Sequence, residues 1–364
     1  MGTRPYEGFR WRLDDEGATL FDVGYPERHL GRGEYRGLEF LHVKARTVIN
    51  PVPACSQMAF RFTINPYRGC THACSYCFAR PTHEYLGLGV GEDFERRIIV
   101  KVNAVELAKA ELSSPHWRGD LIAMGTNTDP YQHAEGKYHL TRGILKVLSE
   151  VRNPVSVLTK STLILRDLDQ LVEAAGRTRV QVNLSVGTLD RDVWKATEPG
   201  TSPPDKRLEA VRRLNGAGVP CGVLIAPVLP GLSDSDAQVT AVAQACKAAG
   251  ANVAGVVALH LRPGVREHYL SWLQGARPDL VALYGERFAC GSYQPKAEQE
   301  RLSSLVEAVF AGGGAPARLR RATREASDAP ARATNGPARA ALTAGPVPVR
   351  AAAQAQQLAL FPRA

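Results

Sequence analysis

No apolar run in the 364-residue chain approaches the roughly 20 residues that span a bilayer, which excludes a helical membrane protein. Its first residues, MGTRPYEGFRWRLDDEG, lack the apolar core of a secretion signal, so a cytoplasmic protein is expected. Cysteine is scarce and uneven: of seven, Cys70, Cys74 and Cys77 fall within eight residues, while Cys55, Cys221, Cys246 and Cys290 are scattered. So sparse a set excludes a secreted disulfide framework and points to a metal centre in a reducing compartment. Internal repeats are absent.

What is present is a globular composition, 44% hydrophobic and 22% charged. Short apolar runs at Phe60–Asn65, Leu121–Met124, Val155–Thr159, Val180–Val186, Val219–Val228 and Ala254–Leu261 read as strands. Between the third and fourth, Leu163, Ile164, Leu168, Leu171 and Val172 mark one helix face, with Gly176 as a stop. Asp205 is placed to cap a helix striped by Leu208, Val211 and Leu214, and Asp234 or Ser235 one carrying Val239, Val242 and Cys246. Leu302, Leu305, Val306, Val309 and Phe310 stripe a last helix. Strand alternating with helix predicts an α/β fold with a parallel sheet, as a partial (β/α)6 TIM-like barrel, whose ligands sit at the strand C-terminal ends. Residues 1–50 read as an N-terminal extension, 51–310 as the core, and 311–364 as a disordered tail.

The strongest signal is Asn65-Pro66-Tyr67-Arg68-Gly69-Cys70-Thr71-His72-Ala73-Cys74-Ser75-Tyr76-Cys77, a C-x3-C-x2-C set after the first strand. Three thiolates on one loop suit iron–sulfur or zinc. A structural zinc needs four protein ligands; His72 is awkwardly placed between the cysteines, and no second C-x2-C follows. A cubane held by three cysteines keeps one iron open to a small molecule's amino and carboxylate groups.

The triad, with Tyr76 before its last cysteine, resembles the radical S-adenosylmethionine superfamily. NPYRGCTHACSYCFAR and the later TDPYQ (Thr128 to Gln132) are most similar to bacterial proteins related to spore photoproduct lyase, the DNA repair photolyase-like subgroup. The resemblance implies a [4Fe–4S] cluster on Cys70, Cys74 and Cys77, S-adenosylmethionine on the open iron, and reductive cleavage to a 5′-deoxyadenosyl radical. It further implies a flavodoxin- or ferredoxin-like electron donor and cofactor contacts from Tyr76, Gly125, Thr126, Asn127, Lys160, Asn183 and Ser185. Glu198 in Thr197-Glu198-Pro199-Gly200 would orient the loop above the site, Ile225-Ala226-Pro227-Val228 would pack the adenine, and Arg262 would reach an anionic substrate or form an ion pair. In one departure, the lyases' hydrogen-donating cysteine after the second strand is replaced by Met124-Gly125-Thr126. Cys55 and Cys290 are unassigned substitutes.

Residues 311–364 hold eight Arg, no Lys and two acids, so they carry +6 of the chain's +9 and leave the body at +3. Such a tail can track nucleic-acid phosphates. It ends in Gln357-Leu358-Ala359-Leu360-Phe361, which resembles the short motif that docks bacterial repair proteins on the sliding clamp; packing back onto the body is the alternative. The leading expectation is a radical enzyme acting on nucleic acid. Modification of a peptide or small metabolite, and a non-catalytic metal-binding adaptor, stay open.

Overall fold

The structure, a computed structural model, describes residues 27–53, 56 and 58–311. Its strands are β1 (Glu27–Leu30), β2 (Glu39–Val43), β3 (Ile49–Pro51), β4 (Phe62–Ile64), β5 (Tyr67–Arg68), β6 (Arg97–Lys101), β7 (Ile122–Met124), β8 (Val155–Thr159), β9 (Val180–Ser185), β10 (Cys221–Val228) and β11 (Ala254–Ala258). A seven-stranded sheet runs β11-β10-β9-β8-β7-β4-β3. Its first six members pair in parallel, and β3 closes the edge antiparallel. The fold is the α/β partial barrel that the alternation of runs predicts, and each of the six expected strands is present, Val155–Thr159 with the expected bounds and the other five shortened.

One face of the central strands is buried because alternate apolar residues meet the covering helices. Val155, Val157, Val180, Val182, Leu184, Val223 and Ile225 join the main core with Ile144, Leu148, Leu171, Val211 and Leu214 from the covering helices. Those helices are α1 (Leu140–Glu150), α2 (Leu168–Arg177), α3 (Pro204–Gly216), α4 (Asp236–Ala248) and α5 (Lys296–Ala311). Ser235 caps α4 in a reciprocal arrangement with Gln238. Cys221 and Cys246 are small hydrophobes of the core.

Three local expectations are corrected. Val172 is 41% exposed, because the buried face of α2 is set by Leu171 and Ala174. Gly176 does not stop α2, which continues to Arg177. Asp205 lies inside the first turn of α3, whose cap position is Pro203, and it pairs with Arg191 at 3.2 Å.

A second sheet, β1-β2-β6-β5, was not anticipated. β6 reads Arg-Ile-Ile-Val-Lys, too short a run to stand out, yet Ile98, Ile99 and Val100 are at most 1% exposed. β2, from the segment read as an extension, pairs in parallel with β6 from Glu39 opposite Arg97 to Val43 opposite Lys101. No helix among the described residues is long and apolar enough to cross a membrane.

Candidate metal and cofactor site

The cysteine loop is held by both sheets. It leaves β4 of the large sheet, and β5 then pairs antiparallel with β6 of the small one immediately before Gly69. Buried polar side chains bind the loop's backbone groups, as burial demands. Gln132 donates to Gly69 O at 2.9 Å and accepts from Thr71 N at 3.0 Å, and Thr128 donates to Gly69 O at 2.6 Å. Arg80, fully buried, donates twice to Cys74 O, at 2.9 and 3.1 Å, and pairs with Glu95 at 2.5 Å. From across the barrel, Thr197 O accepts from Ser75 N at 3.0 Å, and Gly200 N donates to His72 O at 3.1 Å. A Cβ on Gly200 would stand 2.2 Å from Thr71 O, so only glycine permits this docking.

Cys70, Cys74 and Cys77 line one cavity of about 160 Å3. Its wall is made by the C-terminal ends of β7 to β11: Gly125 and Asn127, Lys160, Ser185, Ala226 and Pro227, then Leu259 and His260. Tyr76 and Phe78 complete it from the cysteine loop. Gly125 has φ +93°, and a Cβ there would lie 2.0 Å from Leu158 O. Of the residues expected to meet the cofactor, Tyr76, Gly125, Asn127, Lys160 and Ser185 are thus brought together. Thr126 and Asn183 are not on the cavity wall: Thr126 Oγ1 lies 3.3 Å from Asn65 Nδ2, and Asn183 Oδ1 faces Gln181 Nε2 at 3.4 Å. Ile225 and Val228 point into the core, while Arg262 donates to the Tyr293 hydroxyl at 2.6 Å. Cys290 is exposed and away from the wall; Cys55 and Gln357, Leu358, Leu360 and Phe361 lie outside the described residues.

A buried charge network backs the cavity. Glu198, 4% exposed, accepts hydrogen bonds from the Tyr76 hydroxyl and the Arg207 guanidinium, and Lys160 Nζ sits 3.3 Å away. Lys160 also donates to Ser185 Oγ at 2.6 Å and Ala226 O at 2.9 Å. Arg207, 1% exposed, reaches Ser185 O at 2.7 Å. Burial opposes ionisation of Glu198, but Arg207, Lys160 and the Tyr76 hydroxyl lower its pKa from 4.5 to about 2. At the same end of β8 Asp129 accepts from Thr159 Oγ1 at 2.6 Å and Lys160 N at 2.8 Å, with His72 Nδ1 at 3.3 Å. His72 is thereby committed to a carboxylate. Arg80 and Arg207, the two largest fully buried polar side chains, carried no recognisable sequence signal, because an arginine's burial is decided by its partners.

The donor set fits an iron–sulfur cluster. Burial pushes the thiols of Cys70, Cys74 and Cys77 above their ordinary values, so their thiolates require a compensating cationic centre. A single tetrahedral zinc, with bonds of about 2.3 Å, needs sulfurs about 3.8 Å apart. Among the described residues the trio with all ligand atoms within 4.8 Å of one another is Glu27, His29 and His42, not the cysteines. The wider spacing suits ligands bound to separate metal atoms of one cluster.

Residues 64–242 match the model of the radical SAM superfamily. An uncharacterized protein of Mycobacterium tuberculosis is 42% identical over 278 residues, 76% of this chain and 82% of its own length. The chain belongs to the radical SAM superfamily. The cofactors of radical SAM proteins are a [4Fe–4S] cluster and S-adenosylmethionine. An uncharacterized protein of Methanocaldococcus jannaschii is 32% identical over 54% of this chain and 70% of its own. Among solved radical SAM structures, spore photoproduct lyase complexed with dinucleoside spore photoproduct superposes with TM-score 0.56 over 75% of this chain and 79% of that one. At 16% identity that likeness is one of fold.

Proposed function

We propose that Cys70, Cys74 and Cys77 hold the cluster, that the adjoining cavity seats S-adenosylmethionine, and that the enzyme acts on a nucleic acid, as in repair of a DNA lesion. The observation that carries the cofactor reading is the convergence of three buried thiols with Gly125, Lys160 and Ser185 on one cavity wall. When bound, the reduced cluster supplies the electron that splits S-adenosylmethionine into methionine and a 5′-deoxyadenosyl radical.

The chain's own groups bind and orient. The Gly125 turn and Asn127 hold the amino end, and the Lys160 ammonium meets the carboxylate. Ser185 meets the ribose, and Ala226-Pro227 packs the adenine. Glu198, its carboxyl held ionised, pairs with Lys160 and accepts from the Tyr76 hydroxyl, which fixes both side chains in place. Thr126 and Asn183 act one shell back, Thr126 through its bond to Asn65. The apolar strand ends keep water from the radical.

Two observations support nucleic acid as substrate: the solved lyase of this fold is complexed with a dinucleoside photoproduct, and the tail carries +6. Among the described residues no fourth cysteine lines the cavity, so hydrogen return from a strand-end thiol is not part of the proposal. The C-terminal Gln357-Leu358-Ala359-Leu360-Phe361 docks on the sliding clamp, and a flavodoxin- or ferredoxin-like protein delivers the electron.

Anaerobic reconstitution tests the cofactor reading. About four irons per chain and reductant-dependent 5′-deoxyadenosine are expected, both lost on Cys74→Ala; stoichiometric zinc without cleavage overturns it. Deuterium from labelled lesion-bearing DNA should enter 5′-deoxyadenosine. Transfer only from peptide or metabolite overturns the nucleic-acid reading.

A further inference from the structure

A second cavity, of about 600 Å3, lies beside the edge strand β1, away from the cysteine loop. Among the described residues its wall is made by Arg28, His29, Leu30, Arg32, Tyr35 and Lys137, with no carboxylate. The charges on that wall are only partly neutralised. Arg28 pairs with Glu39, which Arg97 also approaches at 3.4 Å. Arg32 and Lys137 are exposed, and neither has a carboxylate partner among the described residues. Lys137 Nζ stands 4.8 Å over the Phe40 ring and 5.1 Å over that of Tyr138. Aromatic faces attract an ammonium and fix where it sits, but they cancel none of its charge. The wall is therefore built to meet an anion.

A divalent cation is the other ligand the neighbourhood suggests, because Glu27, His29 and His42 bring ligand atoms within 4.8 Å of one another. Two features oppose it. The His29 and His42 rings stack, with centroids 3.9 Å apart and planes at 30°, so their in-plane lone pairs run nearly side by side instead of converging. The unpaired charges of Arg32 and Lys137 add repulsion.

One short helix ties this cavity to the cofactor site. His133–Tyr138 carries Lys137 in its last turn. At its other end His133 N donates to Thr71 Oγ1 of the cysteine loop at 3.1 Å, and Thr128 and Asp129, just before the helix, line the cofactor cavity. Its six residues span about 9 Å, the length of roughly three base steps along a strand. Tyr35 packs on the same helix, since a Cβ on Gly136 would lie 2.9 Å from its hydroxyl.

We propose that this cavity binds backbone phosphates of the nucleic-acid substrate through Arg32 and Lys137, with Arg28 beside them, and so holds the strand within a few nucleotides of the reacting one. The inference rests on the reading of the substrate as a nucleic acid. It differs from tracking by the basic tail in that these cations have a fixed place relative to the cofactor cavity. Phosphate contacts of this kind set position and register and carry no sequence information.

The test uses the full-length, cluster-loaded protein under anaerobic conditions and a short fluorescent DNA duplex, read by anisotropy across a salt series. Arg32→Met/Lys137→Met removes both charges and keeps the apolar stems. Lys206→Met/Lys296→Met removes the same charge from exposed positions outside the wall. Contacts made by the tail are common to every variant and cancel in the comparison. Each lost phosphate contact should take about 0.9 from the slope of log K against log salt, and the cavity variant should bind at least tenfold more weakly at low salt. The control variant should stay within twofold of wild type with its slope unchanged. If the Lys137 change lowers the Tm by disturbing the Phe40 and Tyr138 rings, Arg32→Met alone carries the test, with half the change in slope.

Wild-type slope and affinity in the cavity variant, or equal losses in the two double variants, overturn the inference while the nucleic-acid reading stands. Inorganic phosphate, titrated by calorimetry, separates the sources of the anion. Phosphate binding that the cavity variant abolishes while duplex affinity stays at wild type assigns the cavity to a small phosphate and overturns the backbone assignment. A wild type that binds no duplex removes the nucleic-acid reading and this inference with it.

Discussion

The Tyr76 hydroxyl donates to Glu198 across 122 residues of sequence, joining the cysteine loop to the C-terminal end of the short helix Arg191–Thr197 that follows β9. Thr197 and Gly200, on either side of Glu198, bond the same loop through the backbone. The cysteine loop is therefore clamped by the segment around Glu198.

Glu198 is the keystone of that clamp. Glu198→Ala leaves the Arg207 guanidinium buried without its carboxylate, and breaking such a pair costs about 3–5 kcal/mol. Urea denaturation should show a loss of that order. The double variant Glu198→Ala/Arg207→Met should be less destabilised than the sum of its parts.

The same carboxylate gives a pH signature. Its folded pKa of about 2 lies below the ordinary 4.5, so its contribution is full above pH 4.5 and disappears as pH falls toward 2. The shift is worth roughly 3 kcal/mol at 1.36 kcal/mol per unit. The stability gap between wild type and Glu198→Gln should therefore narrow on acidification. A constant gap from pH 7 to 3 would contradict this.

Gly200→Ala tests the docking without touching a cysteine. Its Cβ would meet Thr71 O at 2.2 Å, a backbone atom that moves only if the cysteine loop moves. Iron retained per chain after reconstitution should fall by half or more, although residue 200 is far from the triad in sequence.

Lys160→Met should weaken S-adenosylmethionine binding at least tenfold, about 1.4 kcal/mol, while iron content stays near wild type. Calorimetry and iron analysis of the same sample separate the two. Equal loss of both would make Lys160 a structural residue of the Glu198 network instead.

The tail predicts a salt effect. Phosphate contacts make log K fall with log salt at a slope of about −0.9 per contact. A chain ending at Phe310 should bind DNA with a shallower slope than the full chain, and Leu360→Ala/Phe361→Ala should lose the sliding clamp in a pull-down while DNA binding persists.

Much of this site was legible in one dimension. The spacing of Cys70, Cys74 and Cys77 is local, so its chemistry needs no fold to be recognised. Ser185 and Lys160 were placed by strand ends, because parallel strands point their C-termini at one mouth. Arg80, Arg207 and His260 were not legible, since a charged or imidazole side chain reads alike on a surface and in a wall. Val172 and Asp205 failed for a related reason: periodicity and residue type name a helix, and packing decides its buried face and first residue.

Sequence alone determined the six parallel strands of the large sheet, the cysteine loop and the basic terminal segment, because each is written in contiguous residues. Only tertiary structure decided which polar groups are buried together: the pairing of β2 with β6 and the Glu198 clamp on Tyr76. Those depend on contacts between segments far apart in the chain, and burial, which sets their cost and their chemistry, exists only once those segments meet.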